Sequence, residues 1–158
     1  MPNWCANRLT VRGTPEDLEY FQKFVRSPRS NFDFDQVMPY PSEYARLDRE
    51  PVVGEDGFKK DGFNRGGYAW CIQHWGAKWW VADVYLTEDV HELTFEFDTA
   101  WSPPKGVIAS LVEWFPGLDF ELHYEEPGCA FEGILVGFEG EIQQDDCRQT
   151  LYRSAYPD

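Results

Sequence analysis

Basic residues are scarce in the second half of this chain. Between Ala82 and Asp146 the only one is Lys105, set against sixteen acidic side chains. The 158 residues carry 14 Lys+Arg and 28 Asp+Glu, a formal charge of −14. The imbalance is lopsided: residues 1–70 hold 10 basic and 11 acidic groups, residues 71–158 hold 4 and 17. A surface of that sign repels phosphate backbones and attracts basic protein surfaces. Long apolar runs are also missing, so no helix is expected to span a bilayer. The start, Met1-Pro2-Asn3-Trp4-Cys5, has no basic region and no apolar stretch, so a secretory signal is not expected. The expected location is therefore the cytoplasm. The few cysteines (Cys5, Cys71, Cys129, Cys147) stand apart from one another, and in a cytoplasmic chain they are expected reduced and buried. The glycines between Gly54 and Gly67 fit no Gly-x-x-x-x-Gly-Lys-Ser/Thr phosphate loop.

What the chain has is aromatic surface. Hydrophobic residues make up 42% and aromatics 17%, too rich for disorder and enough for one domain with a good-sized core. Five of the seven tryptophans (Trp70, Trp75, Trp79, Trp80 and Trp101) fall between Trp70 and Pro104, so this stretch is expected to form the centre of the core.

Periodicity sets out the elements. Leu9 and Val11 alternate with Arg8, Thr10 and Arg12, a half-buried strand. Thr14-Pro15-Glu16-Asp17 has the chemistry of a helix start, and Leu18, Phe21, Phe24 and Val25 give that helix an apolar stripe. We expect a short strand over Asn31 to Val37, a helical turn over Ser42 to Leu47 inside a long loop, and a helix from Tyr68 to Trp75 capped by Gly76. Two alternating runs, Ala82 to Leu86 and Leu93 to Phe97, read as a hairpin. Val107 to Phe115 reads as a helix, Phe120 to Tyr124 as a strand, and Phe131 to Phe138 as a further strand. The tail from Gln143 is expected to close as loop or short helix. The result is an α+β fold: a ferredoxin-like βαββαβ antiparallel sheet with two helices on one face. We expect a single domain over 1–158, an insertion over 27–69 between the first helix and the second core strand, and an extra C-terminal strand.

RNA-recognition modules share this topology and stack bases on sheet aromatics. Here alternation turns Phe95, Phe97, Phe120, Leu122 and Tyr124 toward the helices, and leaves Glu96, Asp98, Asp119, Glu121 and Glu125 on the other face with Arg8 and Arg12 opposite. An open-face nucleic-acid site is therefore not expected. Cys71-x-x-His74 has no second paired motif to complete a zinc site, and as a nucleophile pair it lacks an orienting third group. His123 among Glu121, Glu125 and Glu126 fits acid–base chemistry, but a solvated acidic strand explains it more simply. Lys78 between Trp75 and Trp79 suits a cation–π clamp, a ligand contact, or an ammonium covering ring faces.

Four ordered motifs carry a family resemblance. They are Met1-Pro2-Asn3-Trp4-Cys5 with Asn7 and Leu9; Trp70-Cys71 with Trp75-Gly76-Ala77-Lys78-Trp79; Thr99-Ala100-Trp101-Ser102-Pro103-Pro104; and Tyr124-Glu125-Glu126-Pro127-Gly128 with Phe131 and Gly133. The chain resembles the YubB-like family of phage- and plasmid-encoded proteins with a ferredoxin-like domain. His74 and Ala77 stand where that family usually has Asn and Thr, so contacts made by those two groups would differ here. The resemblance implies an accessory protein of a mobile element and transfers no catalytic residue.

The expected function is binding rather than catalysis, with no cofactor and no metal. The first expectation is an anti-defence (anti-CRISPR-like) inhibitor or nucleic-acid mimic. It would dock on a host protein with a basic, nucleic-acid-binding surface through Glu88, Asp89, Glu92, Glu96, Asp98, Glu121, Glu125 and Glu126. No membrane and no direct nucleic-acid contact are expected. The alternative is a small-ligand or single-stranded nucleic-acid binding module. It would use His74, Trp75, Lys78, Trp79 and Trp101 with the basic loop carrying Lys59, Lys60 and Arg65.

Overall fold

The structure, a computed structural model, describes residues 2–79, 81 and 83–150. Trp80, Ala82 and the chain after residue 150 lie outside the described residues, as does the part of the expected hairpin that falls on Ala82. Strands β1 (Trp4–Arg12), β4 (Tyr85–Asp89), β5 (Glu92–Ala100), β6 (Asp119–Glu126), β7 (Phe131–Phe138) and β8 (Glu141–Gln149) form one antiparallel sheet in the order β4-β5-β1-β6-β7-β8. Helices α1 (Pro15–Val25) and α5 (Lys105–Trp114) follow β1 and β5. The first four sheet positions are thus the ferredoxin-like arrangement, βαββαβ, with β7 and β8 added beside β6.

Local chemistry explains these elements. The Thr14 side chain accepts from the Asp17 N–H at 3.2 Å and Pro15 opens α1, which buries Leu18, Phe21 and Val25. Helix α5 buries Val107, Ile108, Leu111 and Val112 and stops before Pro116-Gly117. Between both helices and the sheet lie Phe95, Phe97, Phe120, Leu122 and Tyr124, all buried as their alternation predicts. Phe21 meets Phe95, Phe120 and Phe115 edge to face, with centroids 5.2 to 6.1 Å apart. That is the geometry preferred by ring quadrupoles.

The insertion differs from expectation at its start. Asn31 to Val37 is not a strand; a loop leads into one helical turn, α2 (Phe34–Val37). The period of two arises because Phe32 and Phe34 both enter the core around Asp33, packing edge to face at 5.5 Å. Asp33 caps the turn by accepting from the Asp35 N–H at 3.0 Å. The expected turn near Ser42 is a full helix, α3 (Ser42–Arg49), and a small hairpin follows, β2 (Val52–Val53) with β3 (Lys59–Lys60). Helix α4 (Gly67–His74) then leads to Gly76, whose φ of 84° closes the helix end. Helices α2 and α4 pack on α5, so the insertion thickens the helical layer and, among the described residues, leaves the opposite sheet face open.

The tail is also corrected. Residues from Glu141 form strand β8, every residue of it exposed, where loop or short helix was expected. Glu139 and Gly140, at φ 54° and 78°, make a two-residue turn of the hairpin type that matches strand twist. With both faces near water, β8 shows no apolar alternation; its pairing to β7 is carried by the backbone. Lys105, the lone basic residue of the acidic stretch, ties the new edge to α5 through Asp145 at 2.8 Å.

Candidate functional site

Strand register decides which side chains share the uncovered face. One row across the sheet reads Tyr85, Glu96, Arg8, His123, Ile134, Asp146; the next reads Asp98, Ala6, Glu125, Glu132, Arg148. The face is concave and bounds a groove of about 1450 Å³. Trp4 and Trp79 stand at one end with rings edge to face at 6.3 Å, and Val81 and Asp83 cross over beside them.

The cross-strand charges meet as the alternation predicts. Arg12 reaches Glu92 at 2.8 Å and Glu121 at 3.2 Å, and Arg8 lies 3.9 Å from Glu96. His123 hydrogen-bonds Glu121, and Arg148 donates to Glu132 at 2.7 Å. The Glu121 carboxyl is held below the usual carboxylate range, first by the bond to His123 and then, against a rise from burial, by Arg12. Three acids of the groove, Asp83, Asp98 and Glu125, are exposed, and among the described residues none of them has an ion-pair partner. The groove is therefore negative where it is unpaired.

The expected acidic surface separates into parts. Glu96, Asp98 and Glu125 line the groove. Glu92 and Glu121 lie farther along the same face, both tied to Arg12. Glu88 and Asp89 lie on the edge strand β4; Glu88 accepts from Gln22 at 2.6 Å and Asp89 from the Val90 N–H at 2.7 Å. Glu126 does not belong to the surface. It is 1% exposed, and its carboxylate accepts from the Gly128 and Cys129 N–H groups at 2.7 and 2.6 Å, closing the β6–β7 turn.

The tryptophan set separates too. Trp75 is 2% exposed and its indole N–H donates to the Met38 carbonyl at 2.9 Å, so it is core. His74 packs on Trp70 with ring centroids 4.8 Å apart. Lys78 places its ammonium over Trp79 at 4.7 Å and over Tyr68 at 5.9 Å; of the two rings expected to flank it, Trp79 takes part and the buried Trp75 does not. Trp101 sits at the β5–α5 corner with φ 72°, rare for a bulky residue, its N–H held by the Asn3 carbonyl at 2.8 Å. Lys59, Lys60 and Arg65 lie on the β2–β3 hairpin and the turn after it, away from the groove. The groove residues that sequence reading passed over include Trp4, Tyr85, Glu132, Ile134 and Arg148. The alternation Trp4, Ala6, Arg8 against Cys5, Asn7, Leu9 contained the signal for Trp4.

Most polar residues of the recurring motifs build a scaffold. Asn7 donates to Thr99 at 2.8 Å, Thr99 to the Ser102 carbonyl at 2.6 Å, and Ser102 to the Gly76 carbonyl at 2.6 Å. One chain of bonds thereby fixes β1, the β5–α5 corner and the end of α4. Catalysis at Cys71 is unfavourable: burial pushes its thiol up to about 12, and burial does the same to Cys5. Cys129 and Cys147 are exposed, where burial was expected. Among the described residues no three His, Cys, Asp or Glu side chains are grouped to hold a metal ion, and no helix is long and apolar enough to cross a membrane.

The family model described as the ferredoxin-like domain in Api92-like protein matches residues 75–155, from the end of α4 past β8. Among solved structures, the chain is similar to the crystal structure of protein Api92 from Yersinia pseudotuberculosis, at a TM-score of 0.60 and 13% identity over 100% of both chains. At that identity the likeness is one of fold. No curated protein matches the chain.

Proposed function

The chain belongs to the family of Api92-like proteins through its ferredoxin-like domain, and from that premise we propose that it acts by binding a basic host protein through the acidic open face of its sheet. In this reading it is a non-enzymatic accessory protein of a mobile genetic element, working in the host cytoplasm. It would serve as an anti-defence inhibitor or nucleic-acid mimic by occupying a surface that otherwise holds nucleic acid. The observation that carries it is the collection of Glu96, Asp98 and Glu125 on one uncovered concave face, where Asp98 and Glu125 have no cation partner among the described residues. The motif resemblance to phage and plasmid proteins supports the mobile-element origin. Unpaired acids on a preformed surface raise association rates with a basic partner, and they do so in a salt-dependent way.

The test is an affinity pull-down of host proteins at low and high salt, identified by mass spectrometry. We expect one basic, nucleic-acid-binding protein captured at low salt and released at high salt. The triple reversal Glu96→Lys, Asp98→Lys, Glu125→Lys should abolish its capture. Capture that survives the reversal and ignores salt would refute the docking role.

A second reading keeps one observation in its favour: Trp79 lines the groove, with Lys78 over its ring. That pair would suit a single-stranded nucleic-acid or small-ligand module. Tryptophan fluorescence that stays flat against nucleotides and oligonucleotides at low salt would dismiss it.

A further inference from the structure

We propose that the groove is the seat of an extended lysine- or arginine-rich segment of the partner, with one of its cations held at the Trp4–Trp79 end; this rests on the docking function proposed above. Size favours a peptide. A volume of about 1450 Å³ exceeds the roughly 300–1,000 Å³ of small-ligand sites. Charge selects a cation. A phosphate laid along the groove would meet Asp83, Asp98 and Glu125, while Arg8 and Arg148 are already turned to Glu96 and Glu132. Aromatic surface gives the cation a place. Trp4 is 44% exposed and Tyr85 75% exposed, and both line the groove, so their ring faces are open to a ligand lying in it. The chain already uses this chemistry on itself, since the Lys78 ammonium rests over Trp79, the ring that Trp4 abuts. A guanidinium or ammonium on Trp4, with Asp98 and Glu125 one row along the sheet, would gain cation–π and ionic contacts together.

The test titrates the full chain with fluorescein-labelled octa-arginine, followed by anisotropy, at about 20 and about 200 mM NaCl. Labelled single-stranded DNA and octa-glutamate serve as competing probes. We expect octa-arginine alone to bind, about tenfold more weakly at the higher salt. Trp4→Ala and Asp98→Asn should each lose roughly fivefold or more. Glu113→Gln, which removes the same charge from the exposed side of α5, should stay within about twofold. Trp4→Phe, with near-ultraviolet circular dichroism to confirm its fold, should fall between wild type and Trp4→Ala. Equal loss in Glu113→Gln and Asp98→Asn would mean that net charge alone attracts the peptide, and would overturn the site. DNA binding that is lost in Trp4→Ala would overturn the choice of occupant. The two proposals separate cleanly. If host-protein capture persists in the Trp4→Ala, Asp98→Asn double variant, the docking role stands and the groove assignment falls. If octa-arginine binds as described and no host protein is captured, the groove stands and the docking role falls.

Discussion

Glu126 and Asp98 are both acids of the same half-chain, yet they do different work. Asp98 projects into water from the open face, whereas Glu126 is turned inward, where its two oxygens hold the N–H groups of Gly128 and Cys129. Removing a buried charged acceptor leaves its donors to find other partners, at a cost on the order of 1–3 kcal/mol. Glu126→Ala should therefore lower the thermal midpoint by several degrees, and Glu126→Gln, which keeps one acceptor oxygen, by less. Asp98→Ala, exposed and unpaired, should change stability by no more than about 0.5 kcal/mol. Differential scanning calorimetry of the three variants separates the scaffold acid from the groove acid. A Glu126→Ala protein as stable as wild type would place the carboxylate outside the scaffold. The alternation of β6 already carries this distinction: Phe120, Leu122, Tyr124 and Glu126 share the inward face and Glu125 the outward one. What the period does not show is why an acid is accommodated there, which is the pair of N–H groups that the following turn supplies.

At the scale of elements, the Arg29–Asp33 pair at the start of the insertion is a pH-sensitive joint. Asp33 is 2% exposed, caps α2, and receives Arg29 at 2.8 and 2.9 Å. Burial alone would raise its carboxyl; the hydrogen bonds from Arg29, Ser27 and the Asp35 N–H outweigh that and hold it below the ordinary value. A depressed value in the fold means stability that is fully present above the unfolded carboxylate value and lost as pH falls through the folded one. Chemical denaturation should accordingly show wild type losing stability on acidification, and Asp33→Asn, weaker at neutral pH, changing less over the same window. Equal pH slopes would remove Asp33 from the joint. The elements legible in the sequence include those with one wet and one dry face, β1, β5, β6, α1 and α5, and also β7 and α4. The first strand of the hairpin, by contrast, runs over Tyr85–Asp89 where Ala82 to Leu86 was expected. Asn31 to Val37 misled because two core phenylalanines flanking a capping aspartate mimic a strand's period. Strand β8 was hidden because it has no dry face, and only the Glu139-Gly140 turn marks it. In the groove, Glu96, Asp98 and Glu125 followed from alternation. Trp79 followed from its motif, but the side on which it stands depends on the chain crossing at residues 79–83, which no local period records.

For the whole molecule, a charge of −14 is a cost to folding as well as an attraction for a partner. Like charges on one face repel, and the effect reaches over a Debye length of about 10 Å at 0.1 M salt. Ion pairs oppose this, including Arg12 with Glu92 and Glu121 and Lys105 with Asp145. Each is solvent-exposed, though, and such pairs contribute only about 0–1 kcal/mol. Repulsion should therefore prevail, and the thermal midpoint should rise as NaCl increases from about 10 to about 150 mM. Neutralising the groove with Glu96→Gln, Asp98→Asn and Glu125→Gln should raise the midpoint at low salt and leave it nearly unchanged at high salt, while host-protein capture is lost. That combination, greater stability with less binding, is expected when charge is kept for a surface rather than for the fold. If the neutralised protein is instead less stable at low salt, these acids belong to the scaffold, and the open face loses its claim to be the binding surface.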